Sequence, residues 1–563
     1  MQYFGHPMTL PRTAWIRPQF LWLPLLVMAL GLVLQVQGAW QDSLTNDEIT
    51  HIAAGVSYWR TDDFRLNDPH PSLFKLWSAI PLLAFPHLNL DTSSVAWKTA
   101  DQWTIGEQFV FHSSPNIAYS RWIVFAARIP MIVLWAVIGW MLYAWSKRHW
   151  NAWGGLITLS AYTFDPNFLG HGHLVNNDVA VAGAFFAAVW AAEKLFAAPS
   201  WKRTWLVVCL AAIAVLVKFS GVFVYPVIGL FAIFFAVRKT HGYSWRWVWR
   251  LCWAGVVSFL LISWIAYGGT IGRPFQDSVS NNLHAHKYIQ AGIALLTKIP
   301  LPAPRFYTGF RYVFLHNEGG HPAFLLGQSN QTGWWYYFPT AIAVKTPILT
   351  LALLLVLIGL FAWRTKKHQV HWTTVCLYAL PALFFLAWSM TSHINIGLRH
   401  VFEIYPFLFV GLGGVATMPI ISGRRAQIVA VGLCSSFLAV AFIAGSHTIA
   451  YFNAFVGGTK NGYRILRDSN LDWQQDVWRL QTYLQKNSIS SAHIDLNGAT
   501  DTSYFFPAAL PVESDADIAA GKMPRGTYAV SVRWLFDGSH HLIWLRNKTP
   551  KTIVGSTVWV YQF

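Results

Sequence analysis

Charge is scarce in this sequence. Only 12% of its 563 residues are Asp, Glu, Lys or Arg, roughly half of the about 25% found in a soluble domain. A chain so poor in charge and 54% hydrophobic is neither disordered nor an ordinary soluble enzyme. Cysteine is scarcer still. The four present, Cys209, Cys252, Cys376 and Cys434, all fall in apolar runs. A disulfide-stapled secreted scaffold is therefore excluded, and the thiols read as buried packing. Acidic residues are outnumbered, 24 against 41 basic ones, for a formal net charge of +17. The chain also lacks a phosphate-binding Gly loop, a Rossmann fingerprint and a nucleophile elbow, which disfavours a nucleotide-linked donor. There is no internal repeat and no low-complexity linker.

What abounds is apolar length. Runs long enough to cross a bilayer lie at Phe20–Gln37 and near 122–145, 152–166, 176–197, 204–218 and 219–237. Others follow near 248–269, 338–362, 372–390, 401–421 and 426–446. The sequence thus predicts a polytopic α-helical membrane protein of about eleven transmembrane helices. The first run follows Arg12 and Arg17 with no small-residue cleavage site, so it reads as a retained span with a cytoplasmic N-terminus. Between spans, Lys147, Arg148, Lys202, Arg203, Arg246, Arg364, Lys366, Arg424 and Arg425 fall on one side. The loop at about 40–120 gathers Asp42, Asp47, Glu48, Asp62, Asp63, Asp68, Asp91, Asp101 and Glu107 on the other. That is the positive-inside distribution, so the basic excess reflects topology and not a nucleic-acid partner.

An odd count of spans places the C-terminus outside. Residues 1–446 then form a transmembrane domain with outer loops at about 40–120 and 270–338. Residues 447–563 form a small periplasmic α/β domain, opened by the helix-like "DSNLDWQQDVWRLQTYLQKN" and continued by "GTYAVSVRWL" and "STVWVYQF".

The sharpest local signal is "NDEITHIAAGVSYWRTDDFRLNDPHPSLFKL", just after the first span. The spacing predicts a short helix from Asp47 to Tyr58, with Asp47, His51 and Tyr58 on one face. Glu48 points about 100° away, so the two carboxylates should not do the same job. An exposed acidic helix start is the plain alternative to chemistry here.

Six motifs in chain order give this stretch a context: the Asp-Glu pair with "DFRL…HP…K", then "DPNFLGHGHLVNND", "KFSG", "GWWYYFPTAIAVKTP", "INIGLRHVFEIYPF" and "GGTKNGYRILRDSNLDWQQD". Together they resemble the GT-C superfamily of lipid-carrier-dependent glycosyltransferases, related to protein O-mannosyltransferases and the lipid A aminoarabinose transferase. The resemblance implies a GT-C type fold in a bacterial inner membrane, with a periplasmic active site and a polyprenyl-phosphate-linked sugar as donor. The acceptor it implies is a hydroxyl on lipid, glycan or protein. By the motif match Asp47 is the base, with Glu48 and Asp178 as further catalytic carboxylates. His70, Lys218, Arg399 and His400 would meet the donor phosphate, and His51 and Tyr58 would support the first loop.

Several of these residues have a second reading. Asp178 is also a good helix N-cap, and Lys218 could snorkel to the interface. His171, His173 and Asp178 are spaced either for a metal or, with no Cys beside them, for structural hydrogen bonds. A divalent cation is left open, because some relatives depend on a metal and others do not. Trp334, Trp335, Tyr336 and Tyr337 fit an aromatic belt or a wall for lipid or sugar. Two other functions stay open: a lipid-linked-sugar flippase or transporter, and a ligase or polymerase using a diphosphate-linked oligosaccharide.

Overall fold

The computed structural model describes residues 22–275, 297–366, 372–418, 421, 423–498, 502–536 and 542–563. Arg12, Arg17 and part of the loop expected at about 270–338 lie outside them.

Helix α1 (Leu23–Gln41) passes through a short turn into α2 (Asn46–Thr61). The Thr45 N–H donates to Glu48 Oε2 at 2.9 Å, which satisfies an otherwise orphaned donor at the helix start. Asp62 ends α2 in the left-handed conformation. Helix α3 (Leu73–Ala79) lies close against it because position 55 is glycine: a Cβ there would sit 2.3 Å from the Lys75 carbonyl oxygen. The main bundle continues with α4 (Ser120–His149), α5 (Ala152–Thr163), α6 (Pro166–Gly172), α7 (Asp178–Ala197) and α8 (Trp201–Val217). Then come α9 (Val224–Arg238) and α10 (Trp245–Ala266). Helix α11 (Pro304–Gly319) precedes α12 (Tyr337–Lys345), α13 (Ile348–Lys366) and α14 (Trp372–Ser389). A turn at Leu398–Ile404 feeds α15 (Tyr405–Gly413), and α16 (Arg424–Ala444) closes the bundle.

The fold class is the polytopic helical one expected, but the count differs. Among the described residues seven helices are long and apolar enough to cross a membrane, or eight if α12 and α13, bent by 112°, are one broken span. The run at 152–166 becomes the 12-residue α5, buried along its whole length. Twelve residues rise only about 18 Å, well short of a hydrocarbon core of about 30 Å. The 204–218 run becomes the 17-residue α8. Apolar runs buried inside a bundle read like spans, because both are wrapped in non-polar atoms on all sides.

The C-terminal part holds a five-stranded sheet of β1 (Ala492–Asp495), β2 (Ala509–Leu510), β3 (Thr527–Ser531), β4 (Thr552–Val554) and β5 (Val558–Gln562), in the order β2-β1-β3-β5-β4. Strand β1 runs parallel to β2 and β3, and β5 antiparallel to β3 and β4. Helix α17 (Val477–Lys486) shares its core with the segment between α1 and α4, where Val477, Trp478 and Leu480 cluster with Ile49, Phe109 and Phe111. The preceding segment is hydrogen-bonded into the turn between α1 and α2. Ser43 Oγ donates to the Gln474 carbonyl at 2.6 Å and accepts from the Val477 N–H at 2.9 Å.

Candidate active site

Helix α2 sends its two adjacent carboxylates into different surroundings. Glu48 is fully buried. The guanidinium of Arg128, equally buried on α4, grips it through Nε at 2.9 Å and Nη2 at 2.6 Å. The Val175 N–H adds a third contact at 2.8 Å. Burial pushes the Glu48 carboxyl up, but Arg128 and the backbone donors outweigh it and hold it below its ordinary range. With its hydrogen bonds filled, Glu48 ties α2, α4 and the segment before α7 together.

Asp47 faces the other way, with 21% of its side chain exposed. Its Oδ2 lies 3.0 Å from Nη1 of Arg399, and that same nitrogen is 3.5 Å from Oδ2 of Asp178. Asp178, fully buried at the start of α7, takes Lys218 Nζ on its other oxygen at 2.7 Å. Asp47, Arg399, Asp178 and Lys218 thus form one chain of alternating charge from four separate parts of the sequence. Asp178 makes no side-chain cap hydrogen bond; its backbone N–H donates to Asn176 Oδ1 at 3.1 Å. Nearby, Ser220 donates to Glu403 Oε1 at 2.6 Å, while His400 Nε2 and Glu403 Oε2 are buried without a partner among the described residues.

His51 and His70 meet edge to face, with ring centroids 4.8 Å apart. His51 Nδ1 must carry its proton, since it donates to the Val175 carbonyl at 2.7 Å. Burial lowers the His51 pKa to about 4, although Asp47 pulls it up. His70 accepts at Nδ1 from the Asn177 amide at 3.2 Å. Burial, then His51 and Lys75, holds His70 well below the usual imidazole range. Tyr58 is engaged by other partners. Its hydroxyl donates to the Leu66 carbonyl and accepts from Lys75 Nζ at 2.7 Å. Lys75, wholly buried, also donates to the carbonyls of Asn67 and His70 at 2.9 and 2.8 Å. It thereby fixes the shape of the "NDPH" loop.

His171, His173 and Asp178 are not brought together. His173 goes to Asp42 at 3.1 Å and to Gln35, and His171 Nδ1 donates to the Asn167 carbonyl at 3.0 Å. Among the described residues no group of three or more His, Cys, Asp or Glu side chains is arranged to hold a metal ion. A divalent ion between Asp47 and Asp178 would have to replace the Arg399 guanidinium that both already share.

Arg128, Lys75, Ser469 and Trp473 are not foreseen as parts of this site. Arg128 had a signal, a lone charge inside the apolar run "WIVFAARIPMIV", and intramembrane charges mark function or tight pairing.

Residues 123–267 match the family described as dolichyl-phosphate-mannose-protein mannosyltransferase. The matched stretch carries Arg128, Asp178 and Lys218 but neither Asp47 nor Arg399. No curated protein matches the sequence. Two solved structures of ArnT from Cupriavidus metallidurans are similar in shape. The one bound to undecaprenyl phosphate has 11% identity and a TM-score of 0.47, covering 95% of this chain and 97% of that one. The apo form has 12% identity and a TM-score of 0.46 at the same coverage.

Proposed function

We propose that the protein is an inverting glycosyltransferase that moves a sugar from a polyprenyl-phosphate carrier to a hydroxyl acceptor on the periplasmic face of a bacterial inner membrane. The observation that carries this reading is the partly exposed Asp47 held by a single arginine that also serves the buried Asp178. The family matched over 123–267 takes its name from a polyprenyl-phosphate sugar donor, which supports the same class of substrate here.

The geometry suggests how the parts would work. Without donor, the two cations and two carboxylates of the cluster balance. A lipid phosphate adds negative charge and competes for Arg399 and Lys218. As the phosphate takes up the Nη donors of Arg399, the pairing with Asp47 weakens and Asp47 is left free to take the acceptor proton. The acceptor oxygen bonds to the anomeric carbon as the bond from that carbon to the phosphate oxygen breaks. The proton ends on Asp47, and the electron pair leaves on the phosphate, where Arg399 and Lys218 stabilise the growing charge. Placement on the periplasmic face rests on the one-sided Lys and Arg distribution, since the span count no longer supplies a parity argument. A reporter after Phe563 should then be periplasmic, and one near Lys366 cytoplasmic.

One observation favours a transporter: the break between α12 and α13, since broken helices line substrate paths in that class. This break is plugged by the chain itself. The Asn453 amide donates to the carbonyls of Ala343 and Thr346 at 2.7 and 2.9 Å, and Lys345 Nζ to that of Ile449 at 2.8 Å. The deciding experiment incubates purified protein with polyprenyl monophosphate- and diphosphate-linked sugars and a membrane extract, with mass spectrometry of the products. Sugar should leave the monophosphate carrier only. Loss from the diphosphate carrier alone would make the protein a ligase or polymerase, and no loss from either would end the transferase reading.

A further inference from the structure

Arg399 is gripped from behind by the C-terminal segment. Arg399 Nε donates to Ser469 Oγ at 3.1 Å, and the guanidinium lies over the Trp473 ring at 4.2 Å from its centroid. Ser469 is oriented to accept, because its own proton goes to the Ile396 carbonyl at 2.7 Å. The next residue fastens the same turn: Asn470 Oδ1 accepts from the Leu398 N–H at 2.9 Å, and Asn470 Nδ2 donates to Tyr337 Oη at 2.9 Å. Residues 396, 398 and 399 are thus all held by two neighbours in the tail. Gly397 makes this approach possible, because a Cβ there would lie 2.3 Å from Ser469 Oγ.

A guanidinium is a flat fork whose donors point in fixed directions. Holding Nε on Ser469 and one face on Trp473 leaves the Nη end of the fork as the part turned to Asp47 and Asp178. We infer that Ser469, with Trp473, is a positioning element for the reaction: the C-terminal segment completes the active centre by aiming Arg399, and does not merely support an outer domain. This rests on the assignment of Arg399 to the donor phosphate.

The test is a double-mutant cycle on donor affinity and single-turnover rate, using the full-length protein in lipid nanodiscs and a polyprenyl-phosphate sugar as probe. Ser469→Ala should weaken donor binding by about tenfold, the usual scale for one hydrogen bond to a charged group, with little change in the thermal midpoint. In an Arg399→Ala background the same change should cost nothing more, because its effect runs through the arginine. Ser469→Cys keeps the shape with a poor acceptor and should behave like Ser469→Ala, which supplies a second arm if the alanine variant does not fold. Ser469→Thr should restore donor affinity. A Ser469 effect that persists undiminished without Arg399, or no effect at all beside a strong Arg399→Ala defect, would overturn the inference. Unchanged donor affinity in Arg399→Ala would instead overturn the phosphate assignment on which it stands.

Discussion

Two arginine–carboxylate pairs begin at neighbouring residues of α2 and are built in opposite ways. Glu48 and Arg128 are both sealed from solvent, with two guanidinium bonds and backbone donors filling the carboxylate. Asp47 and Arg399 meet through one nitrogen, shared with Asp178, and Asp47 keeps a face open. The first arrangement leaves no valence for a substrate. The second is under-satisfied by construction and can be rearranged by an incoming anion. A buried, fully paired charge holds structure, whereas a shared and partly open one can do chemistry.

The comparison is broken most directly at Asp47. Asp47→Asn keeps the shape but removes the proton acceptor, so turnover should fall by about 10²–10⁴-fold, with donor affinity nearly unchanged. Single-turnover kinetics at saturating donor check it. Normal turnover would remove Asp47 as the base and make Asp178 the next candidate.

Glu48→Ala should show the reverse pattern. It strands the Arg128 charge in the interior, at a cost of about 3–5 kcal/mol of stability. Expression and thermal unfolding in detergent should both report it, while any folded fraction keeps its donor affinity. A stable Glu48→Ala protein with dead chemistry would mean that the two carboxylates have been assigned the wrong way round.

Arg399→Ala should weaken donor binding by roughly 10- to 100-fold, as expected for losing charged hydrogen bonds to phosphate, and should slow transfer too. Equilibrium binding and the single-turnover rate separate the two effects.

The smallest expected effect is on acid stability. His51, on the same helix, stays neutral in the fold down to about pH 4, against an ordinary value of 6.5. Below pH 6.5 the unfolded chain takes a proton that the folded one refuses, so stability is full above that pH and falls on acidification toward pH 4. The loss should reach about 2 kcal/mol by pH 5. Thermal midpoints measured from pH 7 to 5 should decline, and His51→Gln should flatten the decline. An unaltered slope would show that His51 is already protonated in the fold.

By itself the sequence determined the helical membrane class, because apolar length and one-sided charge are properties of composition and order. It also marked Asp47, Asp178, Lys218 and Arg399, whose motifs stand out against apolar neighbours. It separated Asp47 from Glu48 by helical geometry alone, since adjacent positions point about 100° apart. Which of the two is sealed could be known only from the fold, because Arg128 reaches Glu48 from 80 residues away. Likewise, 12 apolar residues at α5 read as part of a span until packing showed that protein, not lipid, surrounds them. Ser469 reaches Arg399 across 70 residues of chain. Such contacts leave no periodicity to read, because the distance that matters to a hydrogen bond is measured in space and not along the chain.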